Sequence, residues 1–354
     1  MAENIRMDTH KLMLHPDRVA TWLMGSGTVY PLEIEIGLSG ACNHRCIFCA
    51  VDYMEYKPCL LTRKVMEPNL KIMGQKGVKS IIYAGEGEPL VNPETPDIIN
   101  LTKECGMDAA MSTNGVLFTK EKAASCLKSL SWVRFSIAGA SDATYEKIHQ
   151  CHKGDLQKAL QNMTDAANIK RKQALNTTLG AQLLLLPENK KEVVSLAKII
   201  RSIGFDYFTV KPFSQHPSSK IKREVDYSET EEIENQVKEL ATDSFSVYFR
   251  RQSIINIEHE KNYDKCHALP FMTHISATGD IFPCVAFVGK KEFNFGNINK
   301  DKFSDIWERQ QTQEIMHKFS GDFLKTQCRK ACRLDEMNKY LHALKHPTPE
   351  MSFL

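Results

Sequence analysis

The sequence predicts an α/β fold: a partial (β/α)6 TIM barrel followed by a small C-terminal α+β domain. Three observations carry this. From about residue 32, short β-rich runs alternate with helix-like segments, the pattern of parallel βαβ units. The cysteine-, glycine- and glutamate-bearing stretches fall at the C-terminal ends of those runs, where barrels of this kind place their chemistry. Beyond about residue 256 the alternation gives way to a hairpin pattern and a second group of cysteines.

Taken in order, residues 1–30 form an N-terminal helical extension, with 10–25 a short amphipathic helix over the barrel. The barrel spans 31–255. Its first strand is 32–38 (LEIEIGL), and a cysteine loop follows directly. A helix over 62–75 leads to a second strand at 80–84 (SIIYA), and a helix over 93–105 to a third at 108–112. A helix over 119–129 precedes the fourth strand, 132–138 (WVRFSIA), and helical sequence then runs to about 172. The fifth and sixth strands are 177–186 and 207–213, with a helix over 189–203 between them. Residues 214–230 (SQHPSSKIKREVDYSET) read as a polar, flexible loop, before a helix over 231–241 and a strand over 245–250. The C-terminal domain spans 256–346. Strands at 273–278 and 281–288 flank a turn at Gly279-Asp280, and helices cover 303–318 and 334–344. Residues 347–354 are a tail.

Composition narrows the function. A net charge of +3 is too small to argue for nucleic-acid or membrane binding, and no nucleic-acid partner is expected. No apolar run is long enough for a membrane span. The chain starts MAENIRMDTHKLMLHPDR, without the apolar core of a signal peptide, so a cytoplasmic location is expected. Eleven cysteines without an export signal argue against a disulfide framework. Seven of them fall into two groups, which suits metal or cluster binding, whereas Cys59, Cys105, Cys126 and Cys151 are scattered.

The first group is Cys42, Cys46 and Cys49, a C-x3-C-x2-C loop with Phe48 before the last cysteine. Three thiolates hold three irons of a [4Fe–4S] cluster and leave the fourth open, the mark of a catalytic rather than a structural site. At the end of the second strand comes Gly85-Glu86-Gly87-Glu88-Pro89, where glycines let backbone approach a ligand closely. Ser112-Thr113-Asn114-Gly115 ends the third strand, and Ser136 lies on the fourth.

These motifs, in this order, resemble the radical S-adenosylmethionine (SAM) superfamily. The resemblance implies that Cys42, Cys46 and Cys49 ligate the SAM-binding cluster, that SAM chelates the open iron, and that Phe48 packs near the adenine. Gly85, Glu86, Gly87 and Glu88 match the family's GGEP-type motif, with Glu86 in place of the first glycine; Asn114 and Ser136 are expected near the SAM ribose and carboxylate. Relatives often carry an arginine after the fourth strand that reaches the SAM carboxylate. Here the matching pair is Ile148-His149, so His149 or Lys153 is expected to take that role, and Gln182 to meet SAM or substrate.

The second group is Cys266-x12-Gly279-x4-Cys284 with Cys328-x3-Cys332. It resembles the SPASM and Twitch extensions that follow radical SAM barrels. Four thiolates imply one closed auxiliary [4Fe–4S] cluster, making two clusters in all. A four-cysteine zinc site has the same spacing. The arrangement also resembles that of the 2-deoxy-scyllo-inosamine dehydrogenases, whose closed auxiliary cluster favours net oxidation.

The implied reaction begins with an electron from flavodoxin or ferredoxin, which cleaves SAM to a 5′-deoxyadenosyl radical. That radical abstracts hydrogen from a small polar substrate, and a carbinol of a sugar, cyclitol or nucleoside derivative is dehydrogenated. Lys211, ending the sixth strand, is the candidate base or substrate anchor; Glu33, Glu35 and His44 near the cluster are further candidates, and Tyr53 and Tyr56 are candidates to line the substrate side. Only 41 residues precede Cys42, less than a leader-binding domain needs (at least about 50 residues), which favours a small substrate. A peptide maturase, an epimerase and a non-catalytic Fe–S carrier remain as rivals; the G-E-G-E-P turn argues against the last.

Overall fold

The structure is a computed structural model and describes residues 11–258 and 260–353. Seven strands follow one another, each parallel to the next: β1 (Glu33–Ile36), β2 (Ser80–Tyr83), β3 (Asp108–Thr113), β4 (Leu130–Ser136), β5 (Thr178–Leu185), β6 (Tyr207–Pro212) and β7 (Ser246–Phe249). After the N-terminal α1 (Pro16–Met24), the crossovers are α2 (Arg63–Gln75), α3 (Thr95–Glu104), α4 (Lys120–Cys126), the pair α5 (Asp142–His149) and α6 (Asp155–Lys172), α7 (Val193–Ile203) and α8 (Glu231–Lys238). α7 shows why these segments are helices. Val193, Leu196, Ala197 and Ile200 recur at helical spacing, and all four are buried in the core.

Past α9 (Arg251–Glu258), β8 (Met272–Ile275), β9 (Asp280–Phe282) and β10 (Gly296–Asn297) form the antiparallel unit expected from the Gly279-Asp280 turn. β8 does something the sequence did not announce: it also pairs in parallel with β1, with Glu35 opposite His274. The described residues therefore form one ten-stranded sheet, β10-β9-β8-β1-β2-β3-β4-β5-β6-β7, in which eight consecutive strands are parallel. The remaining helices are α10 (Phe303–Trp307), α11 (Gln310–His317), α12 (Asp322–Gln327) and α13 (Asp335–Lys345).

The sheet curls. Laid flat, β6 would lie about 24 Å from β1, five strand spacings away. Yet Lys211 on β6 lies within electrostatic reach of Arg333, whose guanidinium is bonded to Glu35 on β1. The lumen is polar where many barrels are filled with Val, Ile and Leu: Glu33 and Glu35 from β1, Arg134 from β4, Lys211 from β6 and His274 from β8 share it. Outward residues such as Val133 and Phe135 pack under the helices. Tyr207 fills the lumen level of β5, where a Cβ on Gly180 would come within 1.9 Å of its ring.

Several segments differ from expectation. The helix expected over 303–318 is two helices, α10 and α11, and β9 is three residues long before the chain turns into a 3-10 segment at Val285–Phe287. Residues 214–230 are not a free loop: Lys220 and Ile221 donate backbone N–H bonds to Asp52 (2.9 and 3.0 Å), and His216 stacks on Tyr53. The half-buried Asp52 carboxylate and Tyr53 ring hold this polar segment against the cysteine loop. The first ten residues, including the start of the expected N-terminal helix, lie outside the described residues.

Candidate active site

β1 ends at Ile36 and delivers the chain into the cysteine loop. The loop is pinned from behind by α5: Arg45 and Ile47 donate to the carbonyls of His149 and Ile148 at 3.0 and 2.9 Å. The amide of Asn114 donates to Asn43 at 2.7 Å, tying the end of β3 to the same loop. Cys42, Cys46 and Cys49 are close enough to disfavour one another's ionisation. Burial is the larger cause, pushing the Cys42 thiol up to about 12 and that of Cys46 well above its usual value. Each sulfur has a donor: the His44 amide at 3.5 Å from Cys42, the His149 ring at 3.2 Å from Cys46, and the Tyr56 hydroxyl on Cys49. Three soft donors that stay ionised only beside positive charge, each already solvated by a hydrogen bond, fit iron.

The Gly85–Pro89 turn sits beside this loop, and Gly87 permits that close approach. A Cβ on Gly87 would lie 2.2 Å from the Ser39 carbonyl and 2.4 Å from that of Ala41, so its bareness lets the turn lie on the cysteine loop. The Glu88 amide then donates to Ala41 at 3.0 Å. The buried Glu88 carboxylate accepts from Thr113 Oγ1 (2.6 Å) and the amides of Asn114 (2.8 Å) and Leu90 (3.2 Å). Burial still pushes its carboxyl up. Glu86 turns into the lumen, where it accepts from the Ala277 amide at 2.6 Å and lies 3.3 Å from His274 Nε2. Both carboxylates are thus engaged within the protein.

Other expected residues separate. Phe48 lies on an apolar patch with Ala138, Ile148, Leu186 and Phe213. The Ser136 and Gln182 side chains make no hydrogen bond among the described residues, although the two sit opposite one another on β4 and β5. Lys153 is exposed between α5 and α6. Both ring nitrogens of His149 are engaged within the protein: Nδ1 faces Cys46 and Nε2 accepts the Ala138 amide at 3.1 Å, so neither is left for a SAM carboxylate. His44 is buried behind the loop, 3.5 Å from Asp155.

Lys211 stands near the top of the lumen. Burial, then the nearby guanidinium groups of Arg329, Arg134, Arg250 and Arg333, bring its ammonium pKa down to about 7. His274 is held between Glu35 (3.3 Å) and Glu86 (3.3 Å), and these partners outweigh burial to raise it to about 9. At the opposite, N-terminal mouth of the barrel a cavity of about 560 Å3 is lined by Trp132, Arg134, Tyr207 and Arg333.

The second group also converges. Cys266, Cys284, Cys328 and Cys332 disfavour one another's ionisation, and burial pushes three of them up to about 12. The Asn338 amide donates to Cys266 Sγ at 3.5 Å and the Leu334 amide to Cys332 Sγ at 3.4 Å. Among the described residues no carboxylate or imidazole is grouped with these four sulfurs as a metal ligand, and four thiolates fit a closed iron–sulfur site. The scattered Cys59, Cys105, Cys126 and Cys151 belong to neither group, and none of the eleven cysteines is in a disulfide. Sequence reasoning missed Arg329 and His216. Arg329 donates to the Ser214 carbonyl at 2.8 Å and lies within electrostatic reach of Cys284, Cys332 and Tyr53, between the second cysteine group and the lumen. Its position beside Cys328 was the available signal.

Residues 36–200 match the radical SAM superfamily, and residues 266–333 match the iron–sulfur cluster-binding SPASM domain. The chain is a radical SAM superfamily enzyme with a C-terminal SPASM domain; it carries a [4Fe–4S] cluster with SAM in the first and further iron–sulfur binding in the second. Three proteins show what it is similar to. A tungsten-containing aldehyde ferredoxin oxidoreductase cofactor-modifying protein of Pyrococcus furiosus is 21% identical over 76% of this chain and 79% of its own length. The subtilosin biosynthesis protein AlbA of Bacillus subtilis is 25% identical over 84% of this chain and 65% of its own. The crystal structure of Streptococcus suis SuiB, bound to its precursor peptide SuiA, shares the fold with a TM-score of 0.67 at 19% identity, covering 96% of this chain and 78% of SuiB. Among the described residues no helix is long and apolar enough to cross a membrane.

Proposed function

We propose that this enzyme dehydrogenates a carbinol of a small polar substrate, such as a sugar, cyclitol or nucleoside derivative, with flavodoxin or ferredoxin as electron donor. Cys42, Cys46 and Cys49 would hold the SAM-cleaving cluster, and Cys266, Cys284, Cys328 and Cys332 the auxiliary one. The backbone of Gly85–Glu88, with Phe48, Asn114 and Ser136, would seat SAM. When bound, the first cluster with SAM supplies a radical that removes a hydrogen atom, and the second cluster supplies an electron sink.

The observation that carries the reading is Lys211. Dehydrogenation of a carbinol needs a base for the hydroxyl proton. An ordinary lysine is protonated at neutral pH, whereas Lys211, brought down to about 7, is a competent acceptor there. Its arginine neighbours keep the proton from being held tightly. Gln182, without a side-chain hydrogen bond of its own among the described residues, is free to hold a substrate hydroxyl group. Arg329 sits where positive charge eases electron arrival at the second cysteine group.

A second reading, peptide modification, is favoured by the alignment with AlbA over 84% of this chain. One experiment separates the two. The reconstituted, reduced enzyme is incubated with SAM and panels of polyols, aminocyclitols, nucleosides and peptides. The proposal expects 5′-deoxyadenosine together with a small-molecule product two hydrogens lighter. A modified peptide and no small-molecule turnover would overturn it, and an unchanged mass with solvent deuterium uptake would mean epimerisation.

A further inference from the structure

His149 is completely buried, and both of its ring nitrogens have assigned partners. Nε2 lies 3.1 Å from the backbone nitrogen of Ala138, which has only a proton to give. That nitrogen must therefore present its lone pair, so the ring is the neutral tautomer with its proton on Nδ1. Nδ1 lies 3.2 Å from Cys46 Sγ. The hydrogen bond has one possible direction, Nδ1–H donating to sulfur. The ring cannot turn away. Tyr145 lies against it at 4.1 Å between centroids, and Phe48 and His44 close its other sides at 5.6 and 5.3 Å. The backbone of the same residue accepts from Arg45, so one residue fixes both the loop and the sulfur.

We propose that His149 tunes the reduction potential of the cluster held by Cys42, Cys46 and Cys49 through an Nδ1–H···Sγ hydrogen bond to Cys46. The inference rests on the reading that these three cysteines hold the SAM-cleaving cluster. Reduction adds one electron, from the flavodoxin or ferredoxin donor, and concentrates negative charge on the sulfurs. A donor at a ligating thiolate stabilises the reduced state more than the oxidised one, and so raises the potential. Of the three sulfur donors, the His44 amide comes with the loop itself and Tyr56 lies a few residues beyond it. His149 comes from α5, which makes it a positioning and tuning residue separable by mutation.

The test is an EPR-monitored redox titration of the reconstituted full chain, using the signal that changes on adding SAM to single out this cluster. His149→Phe keeps a flat ring and removes the donor. His149→Gln restores one group that donates and one that accepts. The Phe variant is expected to lower the midpoint by about one tenfold step in the reduction equilibrium, 59 mV for one electron, and the Gln variant to recover part of it. Equal midpoints in all three proteins, each with full iron content, would overturn the proposal. Should the Phe variant lose its cluster, the wild-type protein decides alone. Labelled with [15N]histidine, its reduced cluster is expected to show a histidine nitrogen coupling and an exchangeable proton coupling by ENDOR, and absence of both refutes the bond. Failure of the underlying reading looks different: the SAM-sensitive signal would survive in Cys46→Ala.

Discussion

Replacing His274 by leucine tests how the two halves of the molecule are joined. The imidazole is fully buried with Glu35 on one side and Glu86 on the other, each at 3.3 Å. Its pKa rises from 6.5 to about 9, which at 1.36 kcal/mol per unit is worth about 3 kcal/mol. The sign follows from the direction. Below the unfolded value near 6.5 the folded and unfolded chains both hold the proton, and the stabilisation is fully present. It is lost as pH rises through about 9, where the folded protein releases the proton too. Over 354 residues, about 3 kcal/mol corresponds to roughly 4 °C in melting temperature. His274→Leu leaves two buried carboxylates facing a methyl group, and breaking such a pair costs about 3–5 kcal/mol. Thermal unfolding of both proteins under anaerobic conditions, from about pH 6 to about pH 10, should show the wild type ahead at low pH and the gap closing towards the alkaline end. A gap that stays constant across this range would refute the reasoning, because the contribution would then not depend on the imidazolium.

Other outcomes follow from the same geometry. Lys211→Met should lower kcat by about 10²–10⁴ while 5′-deoxyadenosine still forms, and wild-type kcat/KM should fall as pH drops below about 7, where the lysine is protonated; an unchanged pH profile in the variant would exclude it as the base. Cys284→Ala should reduce iron from about eight to about four per chain and uncouple SAM cleavage from substrate oxidation, read by iron analysis and product ratio. Gly87→Ala places a Cβ 2.2 Å from the Ser39 carbonyl, and the resulting shift of the cysteine loop should cost at least about 1–3 kcal/mol in denaturant titrations and lower cluster occupancy.

Much of the fold was legible because it is written locally. LEIEIGL, SIIYA and WVRFSIA declare strands through β-branched and apolar residues, and α7 declares itself by its periodic buried face. The cysteine groups were legible because ligand spacing is a short-range property. What stayed hidden depends on partners far apart in sequence. Nothing local distinguishes Glu86 as a lumen carboxylate rather than a ligand contact; its fate is set by His274 and Ala277, some 190 positions on. His149 was expected to reach the SAM carboxylate, yet the Ala138 amide and Cys46 engage both of its ring nitrogens. The stretch 214–230 has a loop's composition, and partners distant in sequence, among them Asp52, Tyr53 and Arg329, make it part of the site.

The parallel ladder between β1 and β8 has a consequence for how distance is kept between the two sulfur centres. The first cysteine loop is the direct continuation of β1, and Cys284 follows the hairpin that begins with β8. Their separation is therefore indexed in whole residues. A slip of one position would move the second centre by about 3.3 Å and turn His274 out of the lumen, away from both carboxylates. Intermediate spacings do not exist. A flexible tether between two redox centres would sample a continuum, whereas here the geometry is digital, and the buried imidazolium acts as its parity check.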